Sequence, residues 1–255
     1  MTFNELLRRA WQFDRPQVLS AQMTLINRNL PHALALASLV TVVTAAAAHY
    51  FLHMPSAWLW AAITVVILVL SEGLRRWLPD PSNTARVHQY AQGARLIGIA
   101  TSACWGVMGV WFIDPAQPQS ITIVLGITSG VNSASVGVFA SCWPIALIYG
   151  VVNVLPVGLR LLTTGDPLCM TMGAAVFTYL VALAVFAYHA SQSVLRAIEL
   201  GFENEGLVKR LRDQSQRALE AREVAEVALT EAEEANRAKT VFLASRSEEH
   251  TSELQ

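Results

Sequence analysis

The residues of this sequence that could do chemistry are few and scattered. His49 and His53 stand four apart near the end of the first long apolar run, a spacing that on one helix face can hold a metal ion. No third ligand stands near them, so the pair is a metal or pH-sensing site on one reading and two interfacial histidines beside Tyr50 on the other. Glu72 sits at the inner end of an apolar stretch beside Arg75 and Arg76, where it can reach water. Thr122, Gly126, Gly130 and Ala134 recur every fourth residue, a stripe that permits close helix approach, with Asn132, Ser133 and Ser135 beside it. That group is a packing surface or a polar ligand pocket. Asn153 precedes Pro156 by three, so its amide can satisfy a backbone group that the proline frees, and the segment is a movable kink or ordinary packing. Cys104, Cys142 and Cys169 form neither a disulfide framework nor a CxxC metal pattern and read as small core residues. No catalytic or cofactor-binding residue is assigned.

The elements that must position these residues are membrane-crossing helices. The 255 residues are 53% hydrophobic and 15% charged, with a mean hydropathy of +0.40, which points to a membrane protein rather than soluble domains. Between residues 29 and 195 only nine of 167 positions are Asp, Glu, Lys or Arg. Within that region six apolar stretches, 32–52, 57–74, 96–113, 121–140, 143–159 and 168–189, are each long enough to cross a hydrocarbon core about 30 Å thick. Arginines gather in the amino-terminal flank, in the connection holding Arg75, Arg76, Arg86 and Arg95, and at Arg196, whereas the alternate connections contain Arg160 alone. The positive-inside rule then places both ends in the cytoplasm, in a bacterial inner membrane. Trp58, Trp60, Trp77, Trp111 and Trp143 lie near span ends, as an aromatic belt would. The near absence of ionisable groups inside the spans argues against ion-coupled transport. Ahead of the spans, residues 1–31 hold Phe3, Leu6, Leu7, Ala10 and Trp11 at helical spacing with Arg8 and Arg9, and a second amphipathic piece, 18–30, ending at Pro31. They read as interfacial helices or as soluble helices packed on the neighbouring cytoplasmic coil. No cleavable signal peptide is expected.

After residue 190 the composition changes. Twenty-two of the last sixty residues are charged. Val208, Leu211, Ser215, Ala218, Arg222, Ala225, Leu229, Ala232 and Asn236 alternate steps of three and four, as the seam of a parallel dimeric coiled coil requires; the alternative is a solvated single helix. With no proline after Pro167, residues 191–245 form one rod of about 50 residues, roughly 75 Å long at 1.5 Å each. The seam shifts register at 205–208.

The end of the rod, Glu231-Ala-Glu-Glu-Ala-Asn-Arg-Ala-Lys-Thr-Val-Phe-Leu-Ala-Ser245, resembles the lead-in to the dimerisation and phosphoacceptor domain of two-component sensor histidine kinases. In that family the helix continues into Met-Ser-His-Glu-Leu-Arg-x-Pro, whose His takes the phosphoryl group. By that pattern the phosphoacceptor falls at Glu248, and His250 lies two places late in the wrong context, so the role is not carried onto it. Residues 246–255 resemble an in-frame translation of a common sequencing-library adapter, so the native protein is expected to continue past Ser245. The apolar stretches and the seam predict an all-α chain: a six-helix transmembrane bundle, 32–190, then a long cytoplasmic coiled-coil signalling helix, 191–245, leading by the resemblance into a dimerisation and phosphoacceptor domain. The resemblance implies a homodimer in the lipid bilayer whose full-length parent uses ATP and Mg²⁺ to phosphorylate a His and then a response regulator. This chain carries no cofactor, has no nucleic-acid partner and is expected to be inactive alone. Alternatives are the input half of a membrane diguanylate cyclase and a non-enzymatic membrane protein with a coiled-coil tail. Without a sizeable extracytoplasmic domain, a small, apolar or membrane-derived stimulus such as a quinone, a fatty acid or a bilayer property fits best.

Overall fold

The computed structural model describes residues 15–252, and every regular element in that range is an α-helix. In chain order these are α1 (Pro16–Leu52), α2 (Ala57–Trp77), α3 (Val87–Phe112), α4 (Pro118–Phe139), α5 (Trp143–Leu162) and α6 (Pro167–Ser252). Each contains a window long and apolar enough to cross a membrane. Proline stands in the first turn of α1, α4 and α5, where its missing N–H would be unpaired anyway. α6 begins on Pro167 behind a side-chain cap, with the Cys169 amide donating to Asp166 Oδ2 at 2.8 Å.

Two helix boundaries differ from those expected. α1 does not end at Pro31 but runs through it, because residues 18–30 are not an independent interfacial piece: Val18, Leu19, Met23, Ile26 and Leu30 are buried in the bundle. Polar ties hold that segment down, Ser20 Oγ donating to the Pro81 carbonyl at 2.8 Å and Ser141 Oγ to that of Gln22 at 3.1 Å. α3 starts at Val87, nine residues ahead of the apolar stretch, so Arg95 lies inside a helix rather than in a connection. No helix break falls at 190/191. The chain divides into two compact units between Glu199 and Leu200, and α6 has residues in both. The amphipathic pattern of residues 3–11 lies outside the described residues.

The first unit has two apolar clusters. One gathers Leu19, Met23, Ile26, Tyr90, Ile97 and Ile145; the other is built around Trp60, whose ring meets Trp105 at 5.6 Å and Phe112 at 5.3 Å, both edge-on. In lipid the hydrophobic effect does not drive helices together, so close packing and small residues must. The small residues that do so are on α3, α5 and α6. Val152 O of α5 lies 2.7 Å from where a Cβ on Gly106 would stand, Gly109 meets Val157, and a Cβ on Gly173 would lie 3.2 Å from Gly158 O.

Candidate functional site

Pro156 has no N–H, so the Val152 carbonyl one turn earlier lacks its helical donor. The structure turns that freed carbonyl toward Gly106 of α3, where the missing side chain lets the two backbones meet. Asn153 does not satisfy it: Asn153 is fully buried and neither its Nδ2 nor its Oδ1 has a hydrogen-bond partner. Asn132 of α4 is also fully buried. Its Nδ2 donates to the Thr128 carbonyl of its own helix at 2.9 Å, while its Oδ1, 3.9 Å from the Cβ position of Gly150 on α5, has no partner. Thr128 Oγ1 is a further buried atom without a partner. Asn132 and Ser135 bond within α4, Ser135 donating to the Asn132 carbonyl at 2.7 Å, and Ser133 is exposed. The interior of α4 and α5 thus carries unused hydrogen-bonding capacity, each buried group costing about 1–3 kcal/mol.

A second polar site closes the end of the bundle where α2 ends and α3 begins. Arg75 donates through Nε and Nη2 to the two oxygens of Glu72 at 2.7 and 2.8 Å, and through Nη1 to Asn27 Oδ1 at 2.7 Å. Arg76 Nε adds a 2.8 Å bond to Glu72, and the Tyr90 hydroxyl donates to Asn27 at 3.1 Å. A bidentate guanidinium–carboxylate pair fixes orientation as well as charge, so this cluster ties α1, α2 and α3 together.

Between α1 and α4 lies a groove with a cavity of about 590 Å³. Leu34, Leu68, Val131 and Phe139 supply apolar walls, Trp105 and Tyr149 line it, and Asn29 and His32 stand at one end.

The stripe singled out on α4 is not packed against a neighbouring helix, and its Gly130 and Ala134 line the groove instead. Gly126 and Gly130 are exposed, and nothing lies within 4 Å of a Cβ built at either, so the close approach expected of them is not made among the described residues. The close approach belongs instead to Gly106 and Gly109, preceded by Gly98 and Ser102, and this small-residue spacing was visible in α3. His49 and His53 do not share a helix face. α1 ends at Leu52, and His53 caps it in the left-handed conformation (φ 54°), while both imidazoles are exposed. Among the described residues no group of three His, Cys, Asp or Glu could hold a metal. Trp60 leaves the aromatic belt, being buried with Nε1 donating to the Cys104 carbonyl at 2.9 Å, whereas Trp58, Trp77 and Trp111 are exposed. The three cysteines are free and buried. In the second unit Val208, Leu211, Ala218, Ala225, Leu229 and Asn236 are all exposed on a continuous helix, Leu211 by 64% and Leu229 by 61%.

These features define an all-α membrane protein with six helices able to cross the bilayer. Comparison with models of protein families, with curated proteins and with solved structures finds no match.

Proposed function

We propose that the chain is the input part of a bacterial inner-membrane sensor histidine kinase, with both ends cytoplasmic. It receives a signal in or near the membrane and passes it along α6 to a phosphorelay. The observation that carries this reading is the stretch from Glu231 to Ser245, where Glu-Ala-Asn-Arg-Ala-Lys-Thr-Val-Phe-Leu-Ala matches the lead-in of the phosphoacceptor domain. The exposed apolar residues Val208, Leu211 and Leu229, spaced as a seam on one uninterrupted helix, support a parallel homodimer, which brings two phosphoacceptor helices side by side. Phosphoryl transfer from ATP with Mg²⁺, and onward to a response regulator, belongs to domains beyond this stretch.

The test is the genomic reading frame after the codon for Ser245, followed by expression of its product. A frame encoding the His-Glu-Leu-Arg type motif and a product that labels itself from γ-labelled ATP support the reading. A frame encoding a cyclase domain, or one running on through Arg-Ser-Glu-Glu-His-Thr to a stop after Gln255, overturns it.

A further inference from the structure

The groove between α1 and α4 contains a hydrogen-bond donor with nothing to donate to. Trp105 is fully buried, lines the cavity, and its Nε1 has no partner, whereas the two hydroxyls of Thr101 and Ser135 there are occupied: Thr101 Oγ1 donates to the Ile97 carbonyl at 2.8 Å and Ser135 Oγ to that of Asn132 at 2.7 Å. An indole N–H left unpaired in an apolar interior is costly, so the groove favours an occupant that brings an acceptor. The α4 wall is bare, since Gly130, Ala134 and Gly137 line the groove and nothing lies within 4 Å of a Cβ at either glycine. The cavity, about 590 Å³, is within the roughly 300–1,000 Å³ range of small-molecule pockets. No Lys, Arg, Asp or Glu is among the described residues lining it, so a carboxylate or an amine would be buried there unpaired. Exposed Asn29 and His32 at one end, on the amino-terminal side of the first apolar stretch, mark that end as the polar mouth, and the positive-inside pattern puts it in the cytoplasmic leaflet.

We propose that this groove binds a neutral, carbonyl-bearing lipid of the quinone or long-chain ketone class, entering from the bilayer and accepting a hydrogen bond from the Trp105 indole. The assignment deepens the input-module reading and rests on it for its signalling meaning, but binding is a property of this chain alone. A failure to bind therefore tells against the ligand, and a wrong reading frame after Ser245 tells against the kinase.

The experiment uses the chain in lipid nanodiscs with decylubiquinone as the probe, binding being read as a saturable rise in Tm. Decane removes the carbonyl, 2-undecanone keeps it on a plain chain, and decanoate at pH 8 adds a charge. Decylubiquinone or 2-undecanone, whichever is the source of the carbonyl, is expected to bind at least tenfold more tightly than decane and decanoate. Gly130→Leu and Ala134→Phe, which fill the groove from an exposed helix face, are expected to weaken binding at least tenfold. Trp105→Phe is expected to weaken it about tenfold, and Gly126→Leu, on the same face but not lining the groove, to leave it unchanged. Should Trp105→Phe fail to fold, the two α4 variants still decide. Binding unaffected by Gly130→Leu and Ala134→Phe, or equal affinity for decane or decanoate, overturns the proposal.

Discussion

The packing of α3 on α5 uses the missing side chain at Gly106, and adding a methyl group there is a direct test of how the interior is held. An alanine Cβ at Gly106 would stand 2.7 Å from Val152 O, 3.3 Å from Pro156 Cγ and 3.5 Å from Asn153 O. Two of those atoms are backbone and the third belongs to a rigid ring, so no side-chain rotation relieves the contact and the helices must move apart by about half an ångström. Overpacking of this kind costs about 1–3 kcal/mol. The better helix propensity of alanine returns up to about 1 kcal/mol, leaving Gly106→Ala destabilised by about 1–2 kcal/mol. Gly126→Ala adds the same methyl where nothing lies within 4 Å, so only the propensity gain remains and stability is unchanged or raised by up to about 1 kcal/mol. The propensity gain is common to both, so the two single-methyl variants differ by the overpacking cost, and at roughly 2–4 °C per kcal/mol for a chain of this size that is about 2–12 °C in Tm, measured by circular dichroism in mild detergent. Gly109→Ala meets Val157 through a side chain instead, so Val157→Ala should rescue it, and the same change should not rescue Gly106→Ala. If Gly106→Ala and Gly126→Ala shift Tm alike, the argument that α3 and α5 meet backbone to backbone is wrong.

Topology is checked by reporter fusions: those after Pro115 and Pro167 should read as periplasmic and those after Pro81 and Glu199 as cytoplasmic, and a periplasmic signal at Glu199 would refute an even number of spans. For the seam, cysteines at Leu211 and Ala218 should crosslink symmetry mates in a background without the native cysteines, while Arg217 and Glu220 should crosslink less. Equal crosslinking around the helix would leave no seam. The Asp166 carboxylate, accepting the Cys169 N–H, is held below the usual carboxylate range by that bond. Its folded value being the lower one, its contribution is present above the unfolded carboxylate value near 4 and is lost as pH falls through the folded value, so Tm of the native chain should drop in that acid window more than Tm of Asp166→Asn. Parallel acid profiles for the two proteins would show that the cap does not titrate. In a chimera with a complete kinase core, one residue inserted after Gly206 should lock output and seven should restore regulation, because one residue turns a helix by about 100° and seven nearly preserve its phase. Output indifferent to both insertions would make the rod a passive tether.

The helices were legible because apolar runs of membrane-crossing length have few other uses, and because charge is sparse within them. Their ends were less so. Residues 87–95 are helical despite Arg95, since a helix is not obliged to stop where hydropathy does, and Pro31 is tolerated because the segment before it is anchored by packing and by Ser20, Asn27 and Ser141. Which face of each helix looks inward was barely legible at all. In a soluble helix the polar face reveals the exterior, but lipid and protein interior are both apolar, so Leu36 and Leu34, or Trp58 and Trp60, give the same signal while pointing to opposite environments.

The same ambiguity explains why the small-residue stripe on α4 looked like the packing surface and the one on α3 did not. Both have glycine at short helical spacing, and only the partner surface distinguishes them. On α3 the partner is a carbonyl that Pro156 has released, so Gly106 and Pro156 are two halves of one device: the proline frees an acceptor and the glycine admits a backbone to it. On α4 the bare face at Gly130 and Gly137 meets open space beside an indole N–H that has no acceptor. One stripe is completed by the chain itself. The other stays incomplete within it, and a bare wall next to an unused donor is the arrangement that a membrane-dissolved ligand, rather than another helix of this bundle, would complete.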